Sequence, residues 1–198
     1  LLLLFILFSS NIFADSHIDF SLSEFCYLQP GVQDRGGVYY FPNQTKGITA
    51  TSLCVFKNAY GQYFSKGKLV NGKKEGNWIK WSRNGVKAFD SFYKNGKKEG
   101  KEIYIDLIGQ TTENFYSEGE QIKGNRYNLD GTISAEETYE NGELSYETFY
   151  TYHDNGQLRM KGNQIGPELD FDGTITSWHK NGQKENETYY SEGKLSGK

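Results

Sequence analysis

The sequence predicts an all-β protein: an elongated array of antiparallel β-hairpins forming a single twisted layer, with a small disulfide-containing cap at its N-terminal end. Periodic glycine is the first observation behind this. Asn71-Gly72, Asn95-Gly96, Glu118-Gly119 and Asn141-Gly142 follow one another at intervals of 24, 23 and 23 residues. A second set, Asn84-Gly85, Gly109, Asp130-Gly131, Asn155-Gly156 and Asn181-Gly182, is interleaved with the first at intervals of 24, 22, 25 and 26. Self-similarity on this scale marks a repeat architecture, in which units stack and present a surface. The second observation is composition. Mean hydropathy is −0.72 and only 36% of residues are hydrophobic, yet there are 15 Tyr, 13 Phe and 3 Trp. Aromatics suit a half-buried pleated surface better than a globular core. With 23 Gly against 3 Pro, the turns rest on glycine and its partners Asn and Asp. The third observation is that both cysteines precede the repeats.

Residues 1–14 read as a signal peptide. Leu1 to Phe8 is an apolar run, followed by a small and polar exit ending at Ala14, where cleavage is expected even though Ile12 occupies the −3 position. The run opens without an initiator Met or a basic segment, so the sequence is expected to begin inside the signal. It is well short of the ~20 residues that a spanning helix needs. Export to the periplasm, cell surface or medium is the expectation. Residues 15–60 show no repeat and read as an N-terminal cap over the first sheet edge, since an open edge invites aggregation. Cys26 and Cys54, an even pair in an oxidising compartment, are expected to form a disulfide. Without CxxC spacing they do not read as a zinc site.

Residues 61–198 are the repeats. In Phe92-Tyr93-Lys94-Asn95-Gly96-Lys97-Lys98-Glu99-Gly100, Asn-Gly calls for a type I′ turn, whose two central residues need φ > 0. A second Gly follows four residues later at Gly76, Gly100 and Gly197, and five later at Gly124. Tyr93, Tyr116, Tyr139 and Tyr190 lie three before a Gly of the first set, whereas Trp81, Tyr127, Tyr152 and Trp178, with Ile105 in the fifth unit, lie four before a Gly of the second. One short strand fits between successive turns, giving about ten strands and, at ~4.8 Å spacing, a ribbon roughly 50 Å long. Between Gln157 and Asp172 the rhythm falters: Gly162, Gly166 and Gly173 crowd together around Pro167, predicting a shortened unit or an inserted loop. The Lys-rich segment from Lys194 to Lys198 is expected to protect the far edge.

Asn-Gly-Lys-Lys-Glu-Gly followed by Trp78-x-x-Trp81-x-x-Asn84-Gly85 resembles the MORN-repeat variant of bacterial YwqK-type antitoxin proteins. Asn155-Gly156-Gln157-Leu158-Arg159-Met160-Lys161-Gly162-Asn163 is similar to the other half of that unit. The resemblance spans Tyr60 to Lys198. It implies a MORN-like hairpin sheet and neutralisation of a partner toxin. Tyr146 in place of a second Gly, and Gly109 without its Asn, depart from the pattern.

Catalytic motifs fail in context. Asp170-Phe171-Asp172-Gly173-Thr174 reads like the nucleophile loop of haloacid-dehalogenase phosphatases. Too little chain follows for that α/β domain, and Leu129-Asp130-Gly131-Thr132-Ile133 repeats its core, so the segment reads as a repeat turn. As a calcium loop it puts His179 where a bidentate Glu is required. His17, His153 and His179 are the only histidines; the last two share one repeat position and read as solvated strand ends. No nucleophile, metal cluster or phosphate loop emerges, so neither enzyme nor cofactor is expected.

Charge is the more informative signal. Residues 66–101 carry a net charge of +8 and residues 102–154 a net of −10, although the whole chain stands at −3. The plain reading is solvated strand faces. The functional one is a ribbon steered end by end toward charged partners. A protein partner, a toxin by the resemblance, is expected to meet acidic residues including Glu136, Glu137 and Glu140, with Trp78, Trp81, Tyr152 and Trp178 as anchors. The alternative is an envelope module binding glycan or lipid headgroups through the aromatic rows. Nucleic acid is not expected, given the acidic half and export.

Overall fold

A computed structural model describes residues 24–55, 63–166 and 168–197. The expected signal peptide, His17, Pro167, Lys198 and the boundary at residues 60 and 61 lie outside the described residues. The cap contributes β1 (Glu24–Phe25), β2 (Gln33–Arg35), β3 (Val38–Tyr40) and β4 (Ala50–Val55). Six hairpin arms follow as β5 (Tyr63–Val70), β6 (Lys73–Trp81), β7 (Lys87–Lys94), β8 (Lys97–Ile105), β9 (Thr111–Ser117) and β10 (Glu120–Tyr127). Then come β11 (Ile133–Glu140), β12 (Glu143–Tyr152), β13 (Leu158–Ile165) and β14 (Asp170–Phe171). The last are β15 (Gly173–Trp178), β16 (Lys184–Ser191) and β17 (Lys194–Gly197).

Sequence order is almost sheet order. The main sheet runs β1-β4-β5 and then strand by strand to β13-β15-β16-β17, with β14 also paired to β13; β2 and β3 form a separate hairpin. All pairs are antiparallel except β1 with β4. The expected all-β hairpin array is therefore present, and the main path holds fourteen strands where about ten were expected. Two of the extra strands are β1 and β4, which the cap donates to the sheet, extending its edge; the repeats supply the other twelve. Substantial strand contacts run only between neighbours in the sheet.

The two glycine sets are two different turns. In the first, both central residues have positive φ, as at Asn95 (51°) and Gly96 (86°) or Glu118 (52°) and Gly119 (94°). These are the two-residue I′ turns that match strand twist. In the second set only the glycine is positive, at 82° for Gly85 and 83° for Gly182. There the Gly85 N–H donates to the Ser82 carbonyl (3.0 Å) and the Ser82 N–H to the Val86 carbonyl (2.9 Å), and the other four turns repeat the pattern. This is a type I turn closed by a left-handed glycine, one residue longer than I′. Alternating two- and three-residue loops place all I′ turns on one margin of the ribbon and all longer turns on the other.

Each residue of Asn-Gly-Lys-Lys-Glu-Gly has a separable task. The I′ turns stack on one another through their N–H groups: Gly96 donates to the Lys74 carbonyl (2.9 Å), and Gly119 to that of Lys98 (3.0 Å). The Glu of one unit caps the turn of the next, with Glu75 Oε2 accepting from the Asn95 N–H (2.7 Å) and Glu99 Oε2 from the Glu118 N–H (3.0 Å). The first Lys lays its methylenes along the next turn glycine, Lys73 under Gly96 and Lys97 under Gly119. Gly76 and Gly100, both at φ 69°, make the left-handed bulge that follows. Grouping Gly124 with them is corrected: its backbone is extended, and a Cβ there would meet Glu137 Oε2 at 2.5 Å. Glu120-Gln121-Ile122-Lys123 lacks the capping Glu, and its register shift between Gln121 and Lys123 is made without a left-handed glycine; the Asn141-Gly142 turn has no such support among the described residues.

The cap begins this stack. The Gly72 N–H donates to the Ile48 carbonyl (2.6 Å) and the Asn71 N–H to Thr49 Oγ1 (2.8 Å), so the 48–49 backbone stands in for a preceding unit. Cys26 and Cys54 are joined, with Cα atoms 4.5 Å apart, tying the segment after β1 to β4. Tyr27, Ile48, Cys54, Leu69, Trp78 and Tyr93 form the apolar core under the cap. Gly67 has no side chain because the Trp78 ring occupies that space.

Two local expectations are resolved. Across 157–172 the inserted-loop alternative holds, since four residues separate the register partners Ile165 and Asp170 where two separate Lys94 and Lys97. No strand is lost: β13 runs through Gly162, whose missing side chain leaves room for Phe149 (2.6 Å from the Cβ position), and the following strand is split into β14 and β15. Asp172-Gly173 is the kink in that split strand, with Gly173 at φ 77°, and not a hairpin turn like Asp130-Gly131.

Candidate binding surfaces

One row of cross-strand neighbours runs along a single face of the ribbon. Register links Ser52 to Gly67, then Trp78 to Ser91, Glu102, Asn114, Gly124, Glu137, Glu147 and Gln164. Its side chains are buried from Ser52 to Glu147 except at Asn114, yet its chemistry changes along the way. Beneath the cap it is Trp78, edge-on to Tyr27 at 5.1 Å and to Tyr93 at 6.4 Å. The Lys74 ammonium sits among those three rings, 4.8 Å from Trp78, 5.1 Å from Tyr93 and 5.3 Å from Tyr27. Burial, with Lys80 and Lys98 nearby, lowers its pKa.

Beyond the cap the row becomes ionic. Glu102 takes a 2.6 Å ion pair from Lys98 and a 3.3 Å hydrogen bond from the Tyr116 hydroxyl. Burial pulls the Lys98 pKa down, but the hydrogen bonds and charges of Glu102 and Tyr116 raise it on balance. Glu137 and Glu147 are register partners, a like-charge pair bridged by Arg126, whose Nε lies 3.1 Å from Glu137 and whose other nitrogen meets Glu147. Tyr139 donates to Glu137 Oε2 at 2.8 Å. Burial raises the Glu147 pKa, with Arg126 opposing and Glu137 reinforcing. These carboxylates are committed to partners within the sheet.

The residues expected to bind a partner separate accordingly. Trp78 is 1% exposed and Glu137 7%, so their expected role as surface anchors is corrected: the first is core and the second a buried ion pair. Glu136 is on the opposite face, accepting a 2.6 Å hydrogen bond from Tyr150, and Glu140 is exposed beside an I′ turn. The three glutamates therefore do not form one patch. Trp81, Tyr152 and Trp178 are half-buried along the margin of the longer turns. Tyr152 donates to the Ile133 carbonyl (2.9 Å), and His153 Nε2–H to that of Trp178 (2.7 Å), so these aromatics join successive turns and line shallow grooves between them.

Two margins carry features that sequence reading passed over. On the I′ margin, Lys73, Lys94 and Lys97 are followed by Glu118, Glu120, Glu140 and Glu143. Apart from Lys97 with Glu118 (3.4 Å), none of these forms an ion pair among the described residues. Their offset from the I′ glycine was the signal. On the other margin the turn tips are apolar: Val86 is 51% exposed, Ile108 69%, Leu129 65% and Leu107 102%. In four of the five longer turns the Asn or Asp before the glycine caps the N–H two residues on. In the fifth, Asp106 Oδ1 does that work by accepting from Ile108 (3.0 Å) and Gln110 (2.9 Å), which frees Leu107 and Ile108 from any task in the turn. No family model matches the chain, and no curated protein matches it significantly.

Proposed function

We propose that this chain is an exported, non-enzymatic repeat protein that binds another macromolecule through the margins of its ribbon. The specific reading is an immunity-like partner whose acidic stretch covers the basic surface of a toxin. One observation carries it: because sheet order follows sequence order, the +8 and −10 stretches occupy different lengths of the ribbon and do not cancel in space. Unpaired carboxylates at the acidic margin offer a basic protein a row of charges at low desolvation cost, which favours fast, salt-sensitive association. The resemblance to YwqK-type antitoxins points the same way, and the Cys26–Cys54 disulfide suits an oxidising compartment. The test is retention of a single protein from native envelope extract. Loss at raised salt and on E120K/E140K/E143K is expected; retention indifferent to both would sink the reading.

A second reading is favoured by the apolar turn tips. Leu107 and Ile108, which share a groove with Arg83 and Val86, suit a lipid surface in the cell envelope. It predicts flotation with anionic vesicles that is lost in L107D/I108D and kept in the triple glutamate variant.

A further inference from the structure

We infer that the I′ margin is an interface for a second copy of this chain, which docks antiparallel about a two-fold axis through the junction between the Gly96 and Gly119 turns. Four successive I′ turns carry, on the residues flanking and within them, Lys73; Lys94 and Lys97; Glu118 and Glu120; Glu140 and Glu143. Inverted end for end, this order presents the opposite charge at every turn. A two-fold about its middle sets Lys94 and Lys97 against the second copy's Glu118 and Glu120, and Lys73 against its Glu140 and Glu143. Successive I′ turns are two strands apart, about 9.6 Å. A second copy has the same pitch by construction, whereas an unrelated partner would have to match it independently. The contact is isologous and closes at two copies.

Two further observations point to a missing counter-charge. Lys94 and Lys97 face each other across β7 and β8, and Glu140 and Glu143 across β11 and β12. Like charges in direct register destabilise an isolated hairpin. Yet unlike Glu137 and Glu147, which Arg126 bridges, the Glu140–Glu143 pair has no cation between its members among the described residues. Lys73 is the second case. It lies beneath the following turn as Lys97 does, but Lys97 meets Glu118 there, whereas the residue at Glu118's place in the turn above Lys73 is the uncharged Asn95. Docking supplies the absent charge to each.

A second copy and a basic toxin would compete for the same carboxylates, so the test uses the purified chain alone, where only the copy is present. Two inversions are made: K73E/K94E, of which Lys94 is exposed and Lys73 half-buried, and E120K/E143K, both exposed. Sedimentation velocity of the native chain at low ionic strength should show a dimer whose dissociation constant rises at least about tenfold toward 0.5 M salt, as exposed pairs are screened. Each variant alone should be monomeric with an unchanged circular dichroism spectrum. Mixed in equal amounts, they should form a one-to-one heterodimer, since one half of the contact keeps its native pairs and in the other half each inverted residue has an inverted residue of opposite charge facing it. A native chain that stays monomeric at low salt, or a dimer that ignores both inversions, overturns the proposal.

Discussion

The capped end and the middle of the ribbon solve one problem in two ways. Both must fill the buried row along one face of a single layer. Under the cap, a second layer of side chains from Tyr27, Tyr39 and Ile48 excludes water, and the row is Trp78 over Gly67. In the middle the described residues supply no second layer, and the row is Glu102, Glu137 and Glu147 with their partners Lys98 and Arg126. An apolar row there would present a greasy stripe to water; an ionic row is covered by its own neighbours and keeps its heads wet at the rim. The lesson is that burial in a single-layer sheet does not call for apolar residues. It calls for partners, and the cap is what allows the partners to be rings.

The largest expected effect breaks the capped end. Trp78→Ala removes the ring that Tyr27, Tyr93 and Lys74 pack against and should cost about 3–5 kcal/mol, read from urea unfolding. In an array coupled only to neighbours, the loss should be local. Hydrogen exchange should accelerate in β4 to β7 and stay near native in β11 to β13. Reducing Cys26–Cys54 comes next. The bridge closes a separation of 28 residues, and its loss should cost roughly 3 kcal/mol, again felt at the N-terminal strands first. Equal acceleration along the whole ribbon in either case would show that the two regions are one cooperative unit.

Arg126 tests the ionic middle. Arg126→Met leaves Glu137 and Glu147, whose side chains are 8% and 6% exposed, opposite each other without a cation. Breaking a buried pair costs about 3–5 kcal/mol, but the Arg126 side chain is 48% exposed, so about 2 kcal/mol is expected. The triple variant R126M/E137L/E147L should recover most of that loss. Failure to recover would mean that the charges, and not only their satisfaction, hold the middle together.

Alkaline pH separates the regions less strongly. Burial first, then Asp34, pushes Tyr39 in the cap up to about 12; burial, then Glu136, pushes Tyr150 in the middle to about 12. Each folded value lies above the ordinary tyrosine value of 10.0, so its contribution is complete below pH 10 and lost as pH rises through about 12. The raised Lys98 pKa adds loss in the same direction, while the lowered Lys74 pKa opposes it as pH climbs toward 10.5. Urea midpoints should therefore fall between pH 10 and 12, and Tyr150→Phe should blunt that fall. An unchanged slope would remove Tyr150 from the account.

Much of this was legible because turns are local. Asn-Gly specifies I′ geometry from two residues, and Lys, Glu and Gly follow at the same offset after Gly72 and Gly96, so sheet order and margins follow from the turn spacing. Burial was not legible in the same way. Trp78 and Trp81 read alike as candidate anchors, yet one is core, because the Tyr27 ring that covers Trp78 comes from a segment with no repeat to announce it. Glu136, Glu137 and Glu140 looked like one acidic cluster, but strand alternation sends the first two to opposite faces, and the turn holds the third. The distinction between Gly76, a left-handed bulge, and Gly124, a seat for a glutamate, depends on which side chain crosses from the next strand. Spacing cannot carry that information.

The smallest effect bears on why the ribbon is regular near the cap and less so beyond it. Glu99 caps the Glu118 turn from one unit away, and Glu75 does the same for Asn95. Each is an exposed hydrogen bond to a backbone N–H, worth about 0.5–1.5 kcal/mol net. Glu99→Ala should therefore lower stability by about 1 kcal/mol, and Glu75→Ala by a similar amount. Glu120→Ala serves as the control, because Glu120 supports no turn, and it should be neutral or slightly stabilising by relieving the charge around Glu118. Amide exchange at Glu118 and Gly119 should quicken in Glu99→Ala alone. The Asn141 turn, which has no capping glutamate among the described residues, should already exchange at the faster rate in the native chain. If Asn141 exchanges as slowly as Asn95, then strand pairing by itself holds these turns, and the glutamates of the repeat serve another purpose.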